Sequence, residues 1–161
     1  MITVLSFYKL QKIKNLNKIK KKIQNKINFL SIKGLIILSP EGINGTLSGK
    51  LKNINIIKKT IISELKLAKF DIQNITKSKF VPFLKAKVKI KKEVVPINEK
   101  YEFDKSFKKK YLSPSKWNNF LEQKNTKIID ARKPFEYKVG TFKKAINPNT
   151  DNFRDFKNYL S

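Results

Sequence analysis

Two apolar spacings alternate along the N-terminal part of the chain. Residues 3–8 (TVLSFY) are dense in β-forming types and predict a strand. From Leu16 the spacing changes. Leu16, Ile19, Ile23, Ile27 and Leu30 recur three and four apart, with Lys and Asn between them, which predicts an amphipathic helix. Gly34 closes that segment. Residues 35–38 predict a short buried strand and 42–48 a second one. Ile54, Ile57, Ile61 and Leu65 repeat the helical spacing, and residues 70–76 carry a weaker strand pattern. The order β-α-β-β-α-β predicts an α+β domain on the ferredoxin-like plan, with two helices packed on one face of an antiparallel sheet.

Residues 83–95 (FLKAKVKIKKEVV) alternate strictly. Ala86, Val88 and Ile90 face one way, and Lys85, Lys87, Lys89 and Lys91 the other. Pro96 ends this strand. The pattern places one domain over 1–95, a polar linker over 96–110 and a second unit over 111–161. In the second unit Ser113 and Pro114 make a helix start, with Ser as N-cap and Pro in the first turn. Trp117, Phe120 and Leu121 form the apolar face of that helix. Residues 127–130 (KIID) predict a strand, and 134–139 a short helix ended by Gly140. Asp151 is placed to cap a last helix carrying Phe153, Phe156 and Tyr159. One strand cannot form a sheet, so this unit is expected to have little core of its own.

Composition changes the picture twice. The 161 residues hold no Cys and no His. That excludes within them a thiol nucleophile, a disulfide framework, a Cys/His metal site and histidine acid–base chemistry. The net charge is +25, which suits a polyanionic partner such as nucleic acid. Yet all but two of the 37 basic residues are Lys, the exceptions being Arg132 and Arg154. Lys, Ile and Asn share A/T-rich codons, so a genome poor in G and C raises the charge without any ligand. Placement therefore says more than the sum. Alternate strand residues stand roughly 7 Å apart, close to the step between phosphates, so the row Lys85, Lys87, Lys89 and Lys91 can meet successive phosphates of a nucleic acid. The same row also suits an edge strand protected from aggregation. No apolar run reaches about 18 residues, and MITVLSFYKL lacks a signal-peptide pattern. No transmembrane helix and a cytoplasmic location are expected.

Residues 34–49 (GLIILSPEGINGTLSG) raise a choice between a phosphate loop and a hairpin. A Walker-type loop needs G-x-x-x-x-G-K-[ST]. Asn44 stands at the first Gly position and Leu51 at the hydroxyl position, so the group that holds Mg²⁺ is missing. The hairpin reading is better: Pro40, Glu41 and Gly42 turn the chain, and Asn44–Gly45 tolerate a left-handed kink or bulge in the returning strand. Glu41 is an acid among cations at the loop tip, available to pair with a Lys or to hold a substrate group. Residues 128–148 (IIDARKPFEYKVGTFKKAINP) hold the other cluster, Asp130, Arg132 and Glu136. An Asp-x-Arg pair at a strand end can lock the surrounding loops as an ion pair. Catalysis would need a nucleophile, and none is present.

The segments SPEGINGTLSG, FLKAKVKIKKEVV, YLSPSKWNNFL and IIDARKPFEYKVGTFKKAINPNTDNFRDF, in this order and spacing, resemble the bacterial rhodanese-related tRNA uridine hydroxylases across nearly the whole chain. The resemblance implies an acylphosphatase-like (ferredoxin-like) domain over 1–95 and the incomplete start of an α/β rhodanese-like domain over 111–161. It implies oxygen-dependent 5-hydroxylation of the wobble uridine, with tRNA as partner, molecular oxygen as co-substrate and an active Cys in a loop after a later strand. This sequence has no Cys, so no catalytic residue is carried over. The chain is expected to be the N-terminal part of a longer protein and inactive alone. Asp130, Arg132 and Glu136 match the family's Asp-x-Arg-x-x-x-Glu segment, which supports the active-site region. Glu41, Gly42, Asn44 and Gly45 match its N-terminal loop. No metal or cofactor site is visible. Two alternatives stay open: a sulfurtransferase (rhodanese) piece, which also needs a Cys, and a stand-alone basic RNA-binding module without enzymatic activity.

The apolar residues of 111–161, Trp117, Phe120, Phe153 and Phe156 among them, are expected to stand exposed and poorly ordered. Hydrogen exchange on the full chain checks this. Amides over 127–160 should exchange fast, and strong protection there contradicts the expectation.

Overall fold

The β-forming residues at the start of the chain run as β1 (Ile2–Leu10) in this computed structural model, which describes residues 1–95, 112–152 and 155–160. Then come α1 (Leu16–Phe29), β2 (Lys33–Ser39), β3 (Gly42–Gly49), α2 (Leu51–Glu64), β4 (Ile72–Ser78) and β5 (Ala86–Ile90). All belong to the first of two units, Met1–Val95; the second is Pro96–Ser161. The expected linker over 96–110 lies outside the described residues, as does Phe153.

The sheet order is β4-β1-β3-β2-β5. β1 is antiparallel to both β3 and β4, and β2 is antiparallel to β3. These four strands make the ferredoxin-like arrangement. β5 departs from the expected antiparallel sheet: it joins β2 in parallel, so the sheet is mixed. It is also shorter than the alternation over 83–95 suggests. β2 runs out at Ser39, and after the Lys91 N–H bonds the Leu38 carbonyl at 2.9 Å no backbone is left to pair with.

Alternation puts Leu5 and Phe7, Ile36 and Leu38, and Ile43 and Leu47 on one side of the sheet. The helical spacing turns Ile23 and Ile27 of α1, and Ile54, Ile57 and Ile61 of α2, toward them, and together they form one buried cluster. Val88 of β5 joins the cluster beneath α1. No described helix or strand packs on the other side of the sheet.

The hairpin between β2 and β3 is tighter than expected. Only Pro40 and Glu41 lie between the paired residues Ser39 and Gly42. Neither Asn44 nor Gly45 has a positive φ, and the register from Gly42 to Gly49 is unbroken, so there is no kink or bulge. Gly45 serves clearance instead. A Cβ there would stand 2.7 Å from Phe7 Cζ and 3.1 Å from the Leu35 carbonyl oxygen. The Phe7 ring uses that space and lies against Phe70, with centroids 4.8 Å apart.

The second unit holds α3 (Pro114–Glu122), α4 (Pro134–Val139) and α5 (Phe156–Leu160). The Ser113 hydroxyl accepts the Lys116 N–H at 3.4 Å, as an N-cap does. The expected strand over 127–130 is reduced to one parallel bridge, Ile129 to Ile146, because no described strand offers it a ladder. Asp151 does not cap the last helix; it lies in a bend, and α5 begins at Phe156. Trp117, Phe120 and Phe142 are exposed, and Ala145 is the one buried apolar side chain among the described residues of this unit.

The packing sets two costs. Ile36→Ala should destabilise the first unit by about 2–5 kcal/mol, and Gly45→Ala by about 1–3 kcal/mol through overpacking against Phe7. Urea unfolding of the full chain, followed through the exchange of β1 and β3 amides, measures both.

Candidate functional sites

The lysine row comes from β5 and its flanks. Lys87 and Lys89 stand beside Leu35 and Ile37 of β2, on the side of the sheet away from the helices. Lys85 precedes the strand, its carbonyl accepting the Gly34 N–H at 2.7 Å, and Lys91 follows it. All four side chains are exposed, while Val88 between them is buried. β5 is an edge strand, yet its outer rim is not bare. Gln24 of α1 donates to the Ala86 carbonyl at 3.2 Å and accepts the Val88 N–H at 2.8 Å. One amide side chain thus mimics a further strand and blocks pairing at this position. Nothing in the sequence distinguishes Gln24 from the other polar residues of its helix.

Among the described residues Glu41 forms no ion pair with a Lys. Its carboxylate accepts the Val94 N–H at 2.7 Å, and its own N–H donates to Ser39 Oγ at 3.1 Å. Its carbonyl accepts the Gln11 N–H at 3.0 Å, and the Pro40 carbonyl accepts the Ile13 N–H at 2.8 Å. The turn therefore ties together the β1–α1 connection and the segment after β5. Gly42 permits the close approach: a Cβ there would stand 2.3 Å from the Lys9 carbonyl oxygen. Asn44 lies on the uncovered side of β3, opposite Tyr8 and Ile37.

In the second unit the Asp130 carboxylate is only 9% exposed and is clasped from two sides. Arg132 donates from Nη2 at 2.7 Å and from Nε at 2.9 Å, and the Thr141 hydroxyl donates at 2.7 Å. Arg132 Nη2 also reaches the Gly140 carbonyl at 2.6 Å. Asn147, which sequence reasoning did not single out, donates to the carbonyls of Asp130 and Arg132 at 2.8 and 2.9 Å. Glu136 makes no side-chain hydrogen bond to Asp130 or Arg132, though its charge favours the Arg132 cation, and its carboxylate accepts the Lys133 N–H at the start of α4. The clasp borders a 610 Å³ cleft whose apolar lining includes Trp117, Phe120 and Phe142. Every strong donor at Asp130 is already committed, so the geometry holds loops together. Among the described residues no group of three or more His, Cys, Asp or Glu side chains is placed to hold a metal ion.

Residues 2–94 match the model of the UPF0176 acylphosphatase like domain. The chain belongs to that family. A tRNA uridine(34) hydroxylase of Pelagibacter ubique (strain HTCC1062) is 45% identical over 161 residues, covering all of this chain and 53% of that protein. One of Legionella pneumophila (strain Corby) is 37% identical over 160 residues, 99% of this chain and 62% of its own length. The chain thus spans roughly half the length of the curated relatives it matches. Among solved structures, an acylphosphatase from Bacillus subtilis aligns at 8% identity with a TM-score of 0.41, over 55% of this chain and 97% of that one. The lysine row and the Glu41 turn lie inside the UPF0176 domain, and the Asp130 clasp lies outside the matched residues.

The clasp has a pH signature. Hydrogen bonds from Arg132, then from Thr141, hold the Asp130 carboxyl well below the usual carboxylate range. Its stabilisation is therefore complete above the unfolded-state value of about 4 and is lost as pH falls through the lower folded-state value. An NMR titration of the Asp130 carboxyl should show a midpoint well below the ordinary one. Arg132→Lys, which loses the planar fork, should raise that midpoint more than Thr141→Val does.

Proposed function

We propose that this chain is the tRNA-binding, N-terminal part of a tRNA wobble-uridine hydroxylase. The observation that carries the reading is 45% identity across the whole chain to the Pelagibacter protein of that name. In this reading Lys85, Lys87, Lys89 and Lys91 contact tRNA phosphates, and the first unit orients the tRNA for oxygen-dependent 5-hydroxylation of uridine 34. Molecular oxygen is the co-substrate, and the cytoplasm is the compartment. The resemblance assigns the oxidative chemistry to a Cys, and these residues hold none. Their share is binding and positioning. Asp130 and Arg132 act as positioning residues for the surrounding loops. The net charge of +25 supports a polyanionic substrate, and the buried core of the first unit gives β5 a rigid base from which to present its lysines.

Two measurements test this. Deleting the gene from its organism should remove 5-hydroxyuridine from position 34 of tRNA grown in air, read by mass spectrometry of digested tRNA. Retention of the nucleoside sinks the enzymatic reading. Replacing the four lysines by Gln should weaken tRNA binding and lower the salt slope, log K against log salt, by about 3 if each meets one phosphate. An unchanged slope removes the row from the interface.

A further inference from the structure

The sheet side opposite α1 and α2 mixes aliphatic, small polar and cationic side chains. Register fixes which residues share it. One cross-strand row runs Asn74, Ser6, Thr46, Leu35 and Lys87. The next runs Ile72, Tyr8, Asn44, Ile37 and Lys89. Leu35 is 39% exposed and Ile72 48%, so aliphatic surface is open to contact. Between the aliphatic residues lie small hydrogen-bonding side chains, and Ser6 Oγ and Thr46 Oγ1 are 3.1 Å apart. No Asp or Glu stands in either row, and each row ends in a lysine at the β5 edge.

A partner protein with an apolar patch would suit a continuous apolar face. This one is broken by Asn74, Ser6 and Thr46 on three adjacent strands and by Asn44 in the next row. Unpaired bases suit it better. They are flat, they stack on aliphatic and aromatic side chains, and their edges pair with amides and hydroxyls. Their phosphates need cations to one side. Neighbouring strands are roughly 4.8 Å apart, so β3 lies about 10 Å from β5. A backbone following Lys87 and Lys89 would thus set its bases over β2 and β3. The outer rim of β5 is occupied by Gln24 at Ala86 and Val88, which leaves the face as the surface available there.

We infer that this face binds an unpaired segment of RNA, its phosphates along Lys87 and Lys89 and its bases over Leu35, Thr46 and Asn44. The inference rests on tRNA being the partner, and it names the part recognised: a single-stranded loop, not a duplex stem.

The test uses the full 161-residue chain and a labelled uridine-rich RNA strand of about ten nucleotides. Binding is read by fluorescence anisotropy at fixed salt. Leu35→Glu should weaken it about tenfold or more, and Asn44→Leu about threefold or more. Leu51→Glu makes the same charge change on α2, where Leu51 is 55% exposed, and should cost less than about threefold. Equal losses from Leu35→Glu and Leu51→Glu, or no loss from either face variant, overturn the inference. So does a fully paired RNA hairpin that competes as well as the single strand. Should Leu35→Glu fail to fold, the unmutated chain decides by photocrosslinking to a 4-thiouridine strand. Adducts on peptides of β1, β2 or β3 support the face, and adducts confined to α1 and α2 overturn it. If the unmutated chain binds neither tRNA nor the strand, the proposed partner fails as well. If tRNA binds and the face variants bind it equally, only this inference falls.

Discussion

The one-sidedness of the sheet is the constraint on which the first unit depends. Side chains along a strand alternate with period two, so register fixes which face each residue joins. β1, β2 and β3 turn Leu5, Ile36, Ile43 and Leu47 to the side covered by α1 and α2, where all four are fully buried. A register slip of one residue in any of these strands would exchange that set for Ser6, Ile37 and Asn44. The same alternation sets Leu35, Ile37 and Tyr8 among Ser6, Thr46, Asn44 and the β5 lysines on the opposite face. Core and candidate interface are two consequences of one periodicity.

Three local devices hold this arrangement in register. Gly45 gives the Phe7 ring room beneath β3. The Pro40–Glu41 turn ties the β1–α1 connection to the hairpin through Gln11 and Ile13, and fixes the chain after β5 through Val94. Gln24 satisfies the outer backbone of β5. The turn and Gln24 supply partners for backbone groups that would otherwise sit at an edge or in a turn, and an unmade bond there costs more than a made one gains. Glu41 and Gly42 thus have a structural reason for their identities, apart from any contact with substrate.

The second unit is organised differently. Among its described residues there is no sheet beyond the bridge between Ile129 and Ile146, and neither α3 nor α4 buries a residue. Polar bonds carry its order: the Asp130 carboxylate gathers Arg132 and Thr141, and Asn147 closes over two carbonyls. Such a clasp specifies loop geometry well but supplies little of the stability that buried apolar area gives.

The sequence by itself determined the two helices, the four strands of the ferredoxin-like plan and the split of β5 into an apolar and a lysine side. These follow from spacing, and spacing acts locally through the 3.6 and 2.0 periods of helix and strand. It also determined that thiol and histidine chemistry are missing from these residues. Only the tertiary structure decided that β5 lies parallel to β2, that Gly45 serves a ring and not a kink, and that Glu41 spends its carboxylate on the Val94 amide. It alone set Gln24 against β5, and it brought Ser6, Thr46, Leu35 and Lys87 into one row. Those pairings join residues far apart in the chain, and no local pattern encodes which distant backbone a strand or side chain will meet.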